Sequence, residues 1–175
     1  MKKFALLLSV ALLLLAGCSF AGSDLAFTQE HVDAVVDAIK DVYGEDYAPN
    51  AAITKEQLEE VYGIDMNNVE YFVAEGPEFS MSTDMLIVLL AKDGKIAEVK
   101  QDLEAYHDYL VNESFQYPMN MARVEASQVV VKENVVFLVV LGKFDDRENV
   151  SEEEALEFAQ EQIQIAIDVI ESTLD

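Results

Sequence analysis

Two apolar runs constrain what this chain can fold into more than any other feature. Met85-Leu86-Ile87-Val88-Leu89-Leu90 and Val135-Val136-Phe137-Leu138-Val139-Val140-Leu141 show no alternation of polar and apolar positions. Alternation marks a strand with one face in water; an unbroken run of this length marks a strand covered on both faces. Each run ends at a turn signal, Asp93-Gly94 after the first and Gly142 after the second. The chain therefore needs a sheet with two central strands, 84–91 and 135–141, and helices on both sides of it.

The flanking segments supply the rest. Val69 to Ala74 alternates, with Val69, Tyr71 and Val73 on one face, and Gly76-Pro77 ends it. Val124 to Val131 pairs with 135–141 as a hairpin turning at Lys132-Glu133-Asn134. Val32, Val35, Val36, Ile39 and Val42 recur at helical spacing after the N-cap Thr28, and Gly44 stops that helix. Residues 45–53 read as a loop. Thr54-Lys55-Glu56-Gln57 is a capping box opening a short helix with Leu58, Val61 and Tyr62, stopped by Gly63. Ile96, Val99, Leu103, Tyr106 and Leu110 form a middle helix that Pro118 bars from extending much past Phe115. Ser151-Glu152-Glu153-Glu154 opens a last helix reaching about Leu174. Its stripe of Leu156, Ala159, Ile163, Ala166 and Ile170 is wide, which fits core packing, with a partner interface as the alternative. The sum is an α+β fold with about four antiparallel strands, two hairpins around a middle helix, and strands 69–74 and 124–131 at the edges.

The N-terminus carries a different kind of information. Lys2 and Lys3 precede an apolar stretch, Phe4 to Leu15, interrupted only by Ser9. This reads as a secretion signal, and it is shorter than the roughly 20 residues that span a bilayer. Leu15-Ala16-Gly17-Cys18 resembles the lipobox of bacterial lipoproteins position by position. That resemblance implies cleavage after Gly17 and diacylglycerol on the Cys18 sulfur. Two acyl chains give stable membrane attachment where one is marginal. The expected organisation is a signal peptide over 1–17, a lipidated cysteine and tether over 18–27, and one extracytoplasmic domain over 28–175.

Composition limits the partners. Cys18 is the single cysteine, so neither a disulfide nor a thiolate metal site is expected. The chain has 11 basic and 34 acidic residues, a net charge of −23; losing Lys2 and Lys3 with the signal leaves 9 against 34, or −25. Nucleic acid is excluded as a partner, because phosphate binding needs clustered Lys and Arg. Such a charge either serves solubility or attracts cations and basic partners.

A catalytic pattern is not visible. His31 and His107 stand in no metal spacing, and no Gly-x-Ser-x-Gly occurs. The densest oxygen cluster is Asp145, Asp146, Glu148 and Asn149, followed by Glu152. It could offer ligands to calcium, but Arg147 interrupts it and the spacing matches no calcium loop. A solvated loop before a helix is the alternative. No cofactor is expected beyond the lipid on Cys18.

From Asn68 to Gly142 the chain resembles the domain-of-unknown-function 4358 family of Gram-positive lipoproteins. The features that carry the resemblance are the apolar strand Met85 to Ala91, then Lys92-Asp93-Gly94-Lys95, a helix opening Ala97-Glu98-Val99-Lys100, the Tyr117-Pro118 pair, and the valine-rich hairpin 129–141. The long acidic last helix departs from the family pattern, as does the scarcity of basic residues in the middle helix. The resemblance implies a surface lipoprotein without an assigned activity. The expectation is a non-enzymatic domain, anchored by lipid at the extracytoplasmic face of the membrane, that binds a protein or an envelope component. The alternatives are a small-ligand or cation-binding accessory lipoprotein and, behind it, an envelope hydrolase.

Overall fold

A computed structural model describes residues 26–78 and 81–174 of the chain. The expected signal peptide, Cys18 and the tether up to residue 25 lie outside the described residues.

The two apolar runs form β3 (Met85–Ala91) and β5 (Val135–Val140), adjacent and antiparallel, with Met85 opposite Val140 and Leu90 opposite Val135. All thirteen residues are buried. β2 (Val69–Gly76) pairs with β3, and β4 (Gln128–Lys132) with β5. A two-residue strand, β1 (Ala51–Ala52), adds to β2, so the order is β1-β2-β3-β5-β4. The sheet thus has five strands where about four were expected, and 69–76 is not an edge. The added strand lies in the segment read as a loop; Ile53 N donates to Ala74 O at 2.8 Å just beyond it.

Helices cover both faces. On one, α1 (Gln29–Tyr43) and α5 (Glu152–Leu174) pack Val35, Ile39, Ile163 and Ile170 onto Leu86, Val88, Phe137 and Val139. On the other, α2 (Lys55–Glu60) and α3 (Ile96–Asn112) pack Leu58, Val99 and Leu103 onto Ile87, Leu89, Val136 and Leu138. Alternate residues of β3 and β5 thereby feed two separate cores, and neither strand has a position left for a polar side chain. Most of the apolar stripe of α5 is core: Ala159, Ile163, Ala166 and Ile170 are all buried. It leaves no broad surface for a partner.

Four local readings need correction. Val69 does not share a face with Tyr71 and Val73: a register shift between Val69 and Tyr71 turns it into the other core. Val124 is not in a strand. Pro118 starts a 3-10 turn (Pro118–Asn120) that runs into α4 (Met121–Ala126), and Ser127 turns the chain into β4. Met-Ala-Arg-Val-Glu-Ala contains strong helix formers, whereas the valines that suggested a strand begin only at Val129. Val42, placed on the α1 stripe, is half exposed, and Tyr43 takes the buried position. Val61 is also exposed, because α2 ends at Glu60 before its second turn can complete.

Where the chain enters the domain is well defined. Phe27 N donates to Asn134 Oδ1 at 2.7 Å, and Asn134 Nδ2 donates to Phe27 O at 3.0 Å. Asn134 sits in the β4–β5 turn, with Glu133 beside it at φ 46°. The N-terminal side of the chain is therefore tied to one end of the two central strands.

Candidate functional site

The opposite end of those strands carries the site. Asp84 immediately precedes β3, Gly142 follows β5, and Arg123 reaches both from α4. Arg123 Nη1 donates to Asp84 Oδ2 at 2.9 Å, its Nη2 contacts Asp84 Oδ1, and Nη2 also donates to the Gly142 carbonyl at 2.8 Å. Ser82 Oγ donates to Asp84 Oδ2 at 2.6 Å, and Asn120 Nδ2 donates to the Met81 carbonyl at 2.9 Å. Asp84 is 2 % exposed and Asn120 3 %. A carboxylate this deep in the protein requires a paired charge and further hydrogen bonds, and Arg123 with Ser82 provides both. The oxygens of Asp84 are occupied by these donors, which makes the group a clamp between three segments rather than a free acid or base.

The clamp supports a set of adjoining clefts. One, of about 410 Å³, opens beside Arg123 between Met81, Met119 and Phe144, with Glu45 and Asp46 on its rim. A second, of about 520 Å³, lies between the end of α2, α3 and the segment 114–117. The two share Ser82 and Asn120. The second is lined by rings. Tyr62 and Tyr106 have centroids 4.5 Å apart, Tyr106 and Tyr109 6.3 Å, and Phe115 and Tyr117 5.5 Å edge to face. Burial pushes the hydroxyls of Tyr62 and Tyr106 above the ordinary tyrosine value.

Exposed hydrophobic side chains concentrate here. Among the described residues, ten large hydrophobics are exposed, and eight of them line these clefts or the two smaller ones adjoining them; Val42 and Val131 are the exceptions. Phe115 is 83 % exposed and Met119 50 %. Isolated exposed hydrophobics are ordinary on a protein surface, but a contiguous patch marks an interaction site.

The residues singled out in the sequence lie elsewhere or are engaged otherwise. His31 Nδ1 accepts from Thr28 N at 3.2 Å, taking the usual place of Glu or Gln in a capping box. His107 Nε2 lies 2.9 Å from Ser127 Oγ, linking α3 to the start of β4. In the acidic loop Asp145 grips Arg147 through both oxygens, at 2.8 and 2.7 Å, which holds its carboxyl below the usual carboxylate range. Arg147 also stands over the Phe158 ring, 5.0 Å from its centroid. Glu154, not Glu152 or Glu153, closes the Ser151 cap, accepting from Ser151 N at 2.9 Å. Asp145, Asp146, Glu148, Asn149 and Glu152 do not converge: no group of three or more His, Cys, Asp or Glu is arranged to hold a metal among the described residues.

Sequence reasoning missed Asp84 and Arg123 as partners. A signal was present in each. Asp84 is a charge at the mouth of a wholly apolar strand, and Arg123 is the one basic residue between Lys100 and Lys132.

Fold and site together define a three-layered α+β domain, its sheet enclosed between helices, with an aromatic and methionine-rich surface at one end of the central strands. The chain belongs to the family described as domain of unknown function 4358, whose model matches residues 42–141. The match runs from the end of α1 to the end of β5, so the sheet, the clamp from Asp84 to Arg123 and the tyrosine groove fall within it. No curated protein and no solved structure matches the chain.

Proposed function

We propose that this protein is a lipid-anchored, non-enzymatic binding domain of the extracytoplasmic face, and that the aromatic end is the surface it offers to a partner. The observation carrying this reading is the position of that surface. Phe27 is bound at the Asn134 end of β5, and the clefts open at the Gly142 end. Eight residue steps at about 3.4 Å, from Asn134 to Gly142, separate the two ends by up to about 27 Å. A chain running from a lipidated Cys18 into Phe27 would hold the domain by its blunt end, with the aromatic end directed away from the bilayer. The nine residue steps from Cys18 to Phe27 reach at most about 31 Å when extended. The net charge of −23 further discourages contact with anionic lipid heads.

The test has two arms. Cys18→Ser is expected to abolish labelling by a radioactive fatty acid and to release the protein from the membrane fraction; retention without labelling removes the anchor reading. A photo-crosslinking residue in place of Phe115 is expected to capture a partner in intact cells, whereas one in place of Val131 is not. Equal capture at both positions removes the assignment of the surface.

A second reading, a small-ligand-binding accessory protein, draws on the cleft beside Arg123, whose 410 Å³ lies within the range of ligand pockets. It is weaker because the guanidinium there is already engaged by Asp84 and Gly142.

A further inference from the structure

The groove between α2, α3 and the 114–117 segment differs from the rest of the protein in one respect. None of its fourteen lining residues is charged, in a chain of which 26 % is Asp, Glu, Lys or Arg. The other clefts at this end each contain at least one charged side chain. Immediately outside the groove the charge returns, with one sign. Glu59 and Glu60 precede Val61, Asp108 precedes Tyr109, and Glu113 precedes Ser114; all four acids are exposed. No lysine or arginine occurs between Lys55 and Lys92 or between Lys100 and Arg123.

We propose that this groove binds an extended, proline-containing peptide segment of a partner protein, flanked by basic residues. The proposal rests on the binding-domain reading above and adds the chemistry of the partner. The groove floor must be matched by an uncharged, apolar ligand, since burying an unpaired charge there would be costly. The acidic rim must be matched by positive charge on either side of it, and like charges would repel.

Proline meets the requirements of the floor. A polyproline II segment is already extended when free, so little conformational entropy is lost on docking, and it packs into aromatic-lined grooves. Its residues rise about 3.1 Å each, so two span about 6.2 Å. The Tyr106 and Tyr109 rings are 6.3 Å apart. Polyproline II makes no internal hydrogen bonds, leaving its carbonyls free to accept. Tyr106 donates its hydroxyl to Tyr62, which leaves the Tyr62 O–H to donate to such a carbonyl; like any tyrosine below about pH 10, it is neutral in the physiological range.

The proposal is tested with the full chain in phosphatidylcholine nanodiscs and fluorescent twelve-residue peptides. One has a Pro-Pro-Leu-Pro-Pro core with lysine flanks, a second has the same core with glutamate flanks, and a third has lysine flanks with glycine replacing every proline. The first is expected to bind saturably, at least tenfold tighter than either other, and to weaken as salt is raised. Tyr109→Ala and Phe115→Ala are expected to weaken it at least tenfold. Both side chains are half or more exposed, so their melting temperatures should stay within a degree or two of the parent; Val131→Ala should leave binding unchanged. Equal binding of the glycine peptide, or none of the proline peptide, overturns the proposal. So does saturable binding of an N-acetylglucosamine oligomer that Tyr109→Ala abolishes, which would make the ligand a glycan. Crosslinking at position 115 in cells separates the two readings. If it persists while the peptides fail, the binding surface stands and the peptide is wrong; if both fail, both readings fall.

Discussion

Asn134 holds Phe27 through both ends of its side-chain amide, accepting from its N–H at 2.7 Å and donating to its carbonyl at 3.0 Å. The contact joins residues 107 apart in sequence and ties the chain entry to the β4–β5 turn. Asn134→Ala removes both bonds and leaves the backbone carbonyl that receives Ala91 N at 2.8 Å. The expected result is a modest loss of about 1–2 kcal/mol, with the Phe27 amide exchanging its hydrogen much faster while the β3 amides stay protected. Unchanged exchange at Phe27 would show that the entry is held by other contacts.

The Asp84–Arg123 clamp gives an asymmetric prediction. Arg123→Ala leaves a buried carboxylate unpaired and is expected to cost about 3–5 kcal/mol in chemical denaturation. Asp84→Leu combined with Arg123→Met removes both charges and should recover much of that loss. A double variant no more stable than Arg123→Ala would mean that the pair contributes through its bond to the Gly142 carbonyl more than through charge.

Gly142 stands at φ 124°, and a Cβ placed on it would lie 2.4 Å from Gln162 Cβ. Gln162 Oε1 also accepts from Lys143 N at 3.0 Å, and its carbonyl receives the Tyr43 hydroxyl at 2.6 Å. Gly142→Ala is therefore expected to destabilise by roughly 2 kcal/mol or more. Gly94→Ala, at φ 69° with nothing within 4 Å, should cost less, because only the backbone term operates. Equal losses at the two positions would mean that the close approach to α5 relaxes freely.

Four tyrosines set an alkaline limit. Burial raises Tyr43, Tyr47, Tyr62 and Tyr106 above the ordinary tyrosine value of about 10, and at Tyr47 the hydrogen bond to Glu75 adds to it. In the unfolded chain all four ionise near 10, whereas in the folded protein they stay neutral. The folded state therefore binds more protons than the unfolded state above about pH 10. Their contribution is complete below that pH and falls as pH rises beyond it. Spectrophotometric titration should show fewer than the full set of tyrosines ionising near pH 10, with the remainder ionising as the protein unfolds. A single transition of all tyrosines near 10 with the fold intact would contradict the burial.

Much of the architecture was legible. The unbroken runs 85–90 and 135–141 identified the two central strands and required cover on both faces, and the capping boxes at Thr54 and Ser151 located the starts of α2 and α5. The errors lie where local patterns compete. Val124 continued the valine pattern of β4 backwards, but Pro118 had already started a helical turn that carries it into α4. β1 was invisible because two alanines have no strand signature; their pairing depends on β2 lying beside them.

The site was less legible, because its parts are far apart in sequence. Composition showed an acidic chain poor in catalytic patterns, and Tyr106, Tyr109 and Tyr117 could be noted as aromatic residues. Nothing in their spacing places Tyr62 against Tyr106 or Ser82 beside Asn120.

The sequence by itself determined the class of fold, the central pair of strands, the excess of negative charge and the family. Those properties depend on residue type and on periodicity along the chain. Only the tertiary structure decided that Asp84 and Arg123 are partners, that one groove excludes every charge, and that this groove opens at the end opposite Phe27. These depend on distances between residues brought together by strand register and helix packing, which no local pattern encodes.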